Sequence, residues 1–180
     1  MKHTTEARSA QTTLQELEAL IQHYVQELDN YTLKQLTYKP QPEQWSLGQM
    51  YNHLIKSALY MQFPAVEQCA LVEASDGEKT AAGEQIFRND AFPPTKIKVP
   101  PSPAYTPQNP GDKDELHTGM TAVLTQARTI ADKLETVSSC GKVRHPGFGA
   151  LNAHEWFQLT EMHFRHHLRQ KKEIDNLLQQ

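Results

Sequence analysis

The sequence predicts an all-α protein, a four-helix bundle with a long Pro-rich crossover loop between helices 2 and 3. Three observations carry that prediction. Four long segments repeat apolar residues at three- and four-residue spacing, as one buried helical stripe requires. Polar capping patterns mark where several of them begin. Prolines crowd into one stretch between the second and third segments, where they forbid a continuing helix.

The first segment runs from Thr5 to Asp29, with Leu14, Leu17, Ile21, Tyr24 and Leu28 on one face. A short helical turn is expected at Leu33–Leu36, ahead of Lys39-Pro40-Gln41-Pro42. The second helix follows Trp45. Ser46 and Gln49 form a capping box, and Leu47, Met50, Tyr51, Leu54, Ala58 and Met61 make its stripe. The third begins near Asp112, where Glu115 repeats the capping logic. Leu116, Met120, Val123, Ala127, Ile130, Leu134 and Val137 follow. The fourth begins near Asn152, with Glu155 three residues on, and runs almost to Gln180. The connection Glu73–Gly111 holds Pro93, Pro94, Pro100, Pro101, Pro103, Pro107 and Pro110 and is expected to be extended. Ile97–Val99 is the one short strand-like run. Neither side of this connection offers a core of its own, so residues 1–180 are expected to form a single domain.

Bulk properties exclude several classes. Acidic and basic residues number 21 and 18, for a net charge of −3, and they are interleaved. No basic tract invites a nucleic acid. No stretch reaches the roughly 18 consecutive apolar residues of a membrane span, and Met1–Ala10 lacks the apolar core of a signal peptide. A cytoplasmic protein is expected. The two cysteines, Cys69 and Cys140, form no disulfide framework and no zinc-type pair. They are expected to be buried thiols.

The nine histidines stand out. His3, His23, His117, His145 and His154 fall at a terminus, a helix edge, helix starts or a loop, where solvation or a local bond suffices. The run Glu161–His167 differs. At about 100° per residue, His163 falls in the middle of the stripe made by Trp156, Leu159, Ile174 and Leu177. An imidazole there needs partners, since an unpaired buried polar group costs about 1–3 kcal/mol. His167 stands about 40° to one side and His166 about 60° to the other, so either can join His163. A His pair at i, i+4 presents two nitrogens to one metal ion. The alternative is a buried histidine bonded to a neighbour with two at the edge. A third ligand must come from elsewhere. His53 lies off the centre of its helix's stripe, so the wheel does not elect it, although it can reach a seam between helices.

Two stretches together resemble a known family. Leu36–Leu54, LTYKPQPEQWSLGQMYNHL, is similar to the helix-2 signature of the DinB-like superfamily: a Lys-Pro loop, a Trp-Ser helix start, then His-Leu two turns in. His145–Gln170, HPGFGALNAHEWFQLTEMHFRHHLRQ, resembles that family's last helix, with its Glu-Trp and His-x-x-x-His-Leu-x-Gln. The resemblance implies a four-helix bundle with one long connection, often a homodimer. It also implies a metal triad falling on His53, His163 and His167. The Pro-rich insertion is longer than the family pattern, so no substrate pocket is carried over.

Three neutral imidazoles around one divalent ion leave positions open, as catalytic rather than structural sites do. Such an ion acidifies coordinated water or orients a thiolate. Zinc or nickel is the expected ion, with iron, manganese or copper also suited to imidazole. The family resemblance implies a metal-dependent hydrolase acting on a small molecule. Its alternatives are a low-molecular-weight-thiol S-transferase or a non-catalytic, stress-related metal-binding bundle. No general base is evident: Glu43, Glu155 and Glu161 are expected to be solvated or capping carboxylates, and Glu161 stands about 160° from His163. Gln49 and Thr160, each about one turn before a candidate ligand, are candidates to line the site. Trp45 and Trp156 are expected in the core.

Overall fold

The structure, a computed structural model, describes residues 8–73, 77–95, 106–136 and 141–179. It is mostly helical, with one small two-stranded sheet. Helix α1 spans Ala10–Leu28 and starts later than Thr5 because Ser9 is its cap: the Ser9 hydroxyl accepts the Thr12 N–H. The predicted stripe of Leu14, Leu17, Ile21, Tyr24 and Leu28 is buried. The short turn is present as α2, Leu33–Thr37, closed by a Thr32/Gln35 capping box.

Helix α3, Leu47–Ser57, begins at the expected Ser46/Gln49 capping box. It does not then run on as a regular helix. Ala58–Gln62 is a π-turn, after which α4 continues over Phe63–Cys69. The extra residue in that turn shifts the buried positions. Met61, expected in the stripe, is 41% exposed, while Gln62 and Phe63 are buried.

The connection after Glu73 was expected to be extended, yet it contains a helix. Its prolines begin only at Pro93, so nothing prevents α5 at Ala81–Asn89, capped by Thr80 and ended by Asp90 in the left-handed region at φ 49°. Residues 96–105, which include Ile97–Val99 and several of the prolines, lie outside the described residues. Where description resumes, the chain is pinned to the start of α3: Gln49 Nε2 donates to the Pro107 carbonyl and Asn52 Nδ2 to that of Gln108.

Helix α6, Lys113–Thr136, carries the predicted stripe from Leu116 to Ile130, with the Asp112 carboxylate accepting the Glu115 N–H. Val137 and Cys140 lie outside the described residues; Cys69 is buried. A hairpin that the sequence does not announce follows, and it places His145 at the end of a strand instead of in a loop. β1, Lys142–His145, pairs antiparallel with β2, Gly149–Asn152, in the register Lys142 to Asn152 and His145 to Gly149. Gly149 has φ +82° at the close of the turn, with the backbone of Glu78–Thr80 pressed against it. The Thr80 N–H donates to the Phe148 carbonyl and the Ala150 N–H to that of Glu78, which stitches the start of α5 to the hairpin. Helix α7, Ala153–Leu178, opens with the expected Asn152/Glu155 capping box.

Helix α1 packs against α6 and α7, and α3 does the same from its own side. Leu17, Tyr24, Tyr51, Leu116, Met120, Trp156 and Phe164 fill the space between, all at most 2% exposed. Tyr51 donates to the Tyr24 carbonyl and Tyr24 to the Phe164 carbonyl, so α3, α1 and α7 are tied in series through the core. Among the described residues no helix is long and apolar enough to cross a membrane.

Candidate metal centre

The seam between α3 and α7 brings His53, His163 and His167 together. The capping box at Ser46 fixes where α3 begins, and so sets the azimuth of His53, seven residues on. The box at Asn152 does the same for His163 and His167 on α7, which sit one turn apart on one face. His53 Nε2 lies 2.9 Å from His163 Nε2, and His167 Nε2 lies 3.1 Å from the same atom. The three ligand atoms all fall within 4.8 Å of one another.

Those separations fit an ion. Nitrogens bound to a tetrahedral divalent metal at about 2.0–2.1 Å stand about 3.3–3.4 Å apart, so the two contacts to His163 Nε2 need open by only a few tenths of an ångström, and all three nitrogens are near enough to converge on one ion. The donor set is also of the right chemistry: neutral imidazole nitrogens, with an outer partner that fixes one tautomer. His167 Nδ1 lies 2.7 Å from Gln170 Oε1. With the amide oxygen on that side, it accepts an Nδ1–H and leaves Nε2 its lone pair.

Burial keeps the cluster neutral. Loss of water pulls the pKa of His53 down to about 3, aided by the neighbouring His167. It pulls His167 down to about 4 against the opposing Gln170 bond, and His163 well below its ordinary value. Neutral rings are the form that binds metal.

His166 is not part of the group. Its ring packs against Phe92, with centroids 5.3 Å apart, and Phe92 also lies 6.2 Å from the His163 ring. Phe92 reaches this place because α5 ends just before it, so the unexpected helix supplies part of the site's wall. On the other side the Trp45 ring stands 4.9 Å from that of His53. Trp45 is therefore half-buried against the His53 ring, while Trp156 is in the core as expected, donating Nε1–H to the Val143 carbonyl.

The other polar candidates have different uses. Gln49 completes the α3 cap and holds the Pro107 carbonyl, and the Thr160 hydroxyl bonds back to the Trp156 carbonyl. Glu155 caps α7 and pairs with Lys79. Glu161 does face away from His163, but it is 2% exposed rather than solvated. Its carboxylate accepts from Arg8 at 2.7 Å and from Arg165 at 2.8 Å. The sequence pattern His-x-x-x-His-Leu-x-Gln includes Gln170 but assigns it no role. Sequence reasoning missed Gln62, whose amide lies 3.3 Å from His163 Nδ1.

A mostly helical fold with three converging imidazoles at a helix seam defines the class: helical proteins with a site suited to metal. The family follows from comparison with known proteins. Residues 12–170 match the model of the DinB superfamily, and the chain belongs to that superfamily. No curated protein matches it significantly.

Proposed function

We propose that this chain holds one divalent metal ion through the Nε2 atoms of His53, His163 and His167, and that it hydrolyses a small molecule there. One observation carries the reading: three neutral ring nitrogens from two helices converge within 4.8 Å of one another, two of them about 3 Å from the third. An ion held by three protein ligands keeps positions open and supplies Lewis acidity to what binds in them. Hydrolysis needs only water as the second reactant, whereas thiol transfer needs a second organic substrate. The residues of the chain orient the ligands, exclude water from their backs and wall the site with Trp45 and Phe92.

The same reading takes the four long helical runs, with α3 and α4 as one, as a four-helix bundle. The Pro-rich stretch crosses between its second and third members, and residues 1–180 act as one domain. A homodimer in the cytosol, with zinc or nickel as the ion, goes with the family resemblance. The packing of α1 and α3 against both α6 and α7 supports the bundle.

The test is metal content by mass spectrometry on protein purified without an affinity tag, beside His53→Ala, His163→Ala and His167→Ala. One ion per chain is expected in the wild type and a large loss in each variant. Absence of uptake, or uptake indifferent to all three substitutions, refutes the proposal.

A further inference from the structure

The π-turn at Ala58–Gln62 is in the same helical run as His53. Such turns insert one residue into an α-helix and often mark functional sites. Gln62 follows His53 by nine residues, which on an uninterrupted helix at about 100° per residue would put them about 180° apart. The inserted residue takes back about 100°, so Gln62 comes within about 80° of His53. It meets α7 on the same ring: the Gln62 amide is 3.3 Å from His163 Nδ1, and His53 Nε2 is 2.9 Å from His163 Nε2.

Gln62 is 2% exposed, and its Oε1 is buried without a hydrogen-bond partner. In the sense drawn, Nε2 of the amide faces Nδ1. An NH2 group can only donate, which would make Nδ1 the acceptor and place the ring's proton on Nε2. A ring in that form cannot offer Nε2 to a metal. Turning the amide by 180° exchanges two nearly identical groups and sets Oε1 against an Nδ1–H. Either sense leaves one end of the amide without a protein partner. Without an ion, an Nε2–H on His163 can donate to the facing Nε2 of His167 or His53; with an ion bound, the ligand role of His163 requires the proton on Nδ1. His167 shows the required arrangement next door, with Gln170 Oε1 2.7 Å from its Nδ1.

We infer that Gln62 is a positioning residue for His163: its Oε1 accepts the Nδ1–H and holds the ring in the tautomer whose Nε2 lone pair faces His53 and His167. The inference rests on the three-histidine reading. It gives the π-turn a purpose, which is to deliver a glutamine to the back of a ligand carried by another helix. Metal-ligating histidines depend on such outer partners, and their loss costs about 10–100-fold in affinity.

The test measures zinc affinity by chelator competition for the wild type, Gln62→Leu and Gln62→Glu, with urea stability recorded alongside. Long-range 1H–15N correlation of the histidine rings reads the tautomer directly. Gln62→Leu should bind zinc about 10–100-fold more weakly, and Gln62→Glu, which keeps an acceptor, should stay near the wild type. His163 should be in the Nδ1–H form in zinc-loaded wild-type protein. A zinc-loaded wild type with the proton on His163 Nε2 overturns the inference even if Gln62→Leu does not fold. So does zinc binding that is indifferent to Gln62→Leu, or equally damaged by both variants. A wild type that takes up no zinc refutes the three-histidine reading and this inference with it. Zinc uptake beside an indifferent Gln62→Leu refutes the inference alone.

Discussion

Lowering the pH from 7.5 to 5 in the presence of a chelator should destabilise this chain through its ring cluster. Burial holds His53 at about 3 and His167 at about 4, while in the unfolded chain each titrates near 6.5. The folded-state values are depressed, so below pH 6.5 the unfolded state binds more protons. The stability linked to each ring is therefore complete above 6.5 and is lost as pH falls towards the folded value. At pH 5, 1.5 units below the unfolded value, 1.36 kcal/mol per unit gives about 2 kcal/mol for each ring. Together His53 and His167 withdraw about 4 kcal/mol, or about half that if water reaching the rings screens them. Either figure is a large part of the roughly 5–15 kcal/mol that holds a domain together. The assay is urea unfolding in EDTA at pH 7.5, 6.5, 5.5 and 5, for the wild type and for His53→Gln with His167→Gln. His145, His163 and His166 are also held down by burial, so the measure is the difference between the two curves. The double variant should lose clearly less stability over this range. Parallel curves would mean that the two rings are not buried as described. Free zinc at a hundred times its dissociation constant, without EDTA, should add about 2.7 kcal/mol to the wild type at pH 7.5.

Three further outcomes follow from particular contacts. Lys171 is 3% exposed and donates to Glu27, Tyr31 and Asp175. Burial opposes its charge, but the bonds to Asp175, Tyr31 and Glu27 outweigh that and hold the ammonium pKa up. Lys171→Met removes the cation that joins α1 to α7 and should cost about 3–5 kcal/mol in urea unfolding at pH 8. A Cβ on Gly83 would stand 2.2 Å from the Phe148 carbonyl oxygen, so Gly83→Ala should cost about 1–3 kcal/mol and speed amide exchange in the hairpin. His166→Ala should leave zinc affinity within about threefold of the wild type, by chelator competition, since outside the ligand set only an outer-partner role would cost tenfold or more.

Much of the helical framework was legible because it is written locally. The Ser46/Gln49 and Asn152/Glu155 boxes name their own helix starts, and each stripe follows from one period. What was missed depends on distant partners. Helix α5 buries only Gly83 and Ile86, and its glycine reads as a helix breaker until the Phe148 carbonyl is seen against it. The hairpin strands are four residues each, with little alternation, and depend on pairing to Glu78–Thr80. Glu161 looks like a surface carboxylate because one of the arginines that bury it, Arg8, lies 153 residues away.

The site divides along the same line. His163 was legible as an imidazole inside an apolar stripe, whereas His53 was not, because a helical wheel measures direction towards the core and His53 points to a seam. The wheel also assumes a constant advance per residue. That assumption fails at Ala58–Gln62, and both errors on this helix come from the one failure. Met61 was counted as core and is 41% exposed; Gln62 was passed over and is 2% exposed. An apolar residue driven out and an amide drawn in is a poor exchange for packing alone, since a buried amide with one end unpartnered costs about 1–3 kcal/mol. A helix that keeps such an exchange needs a compensating use for the amide, and the ring of His163 is the group it reaches.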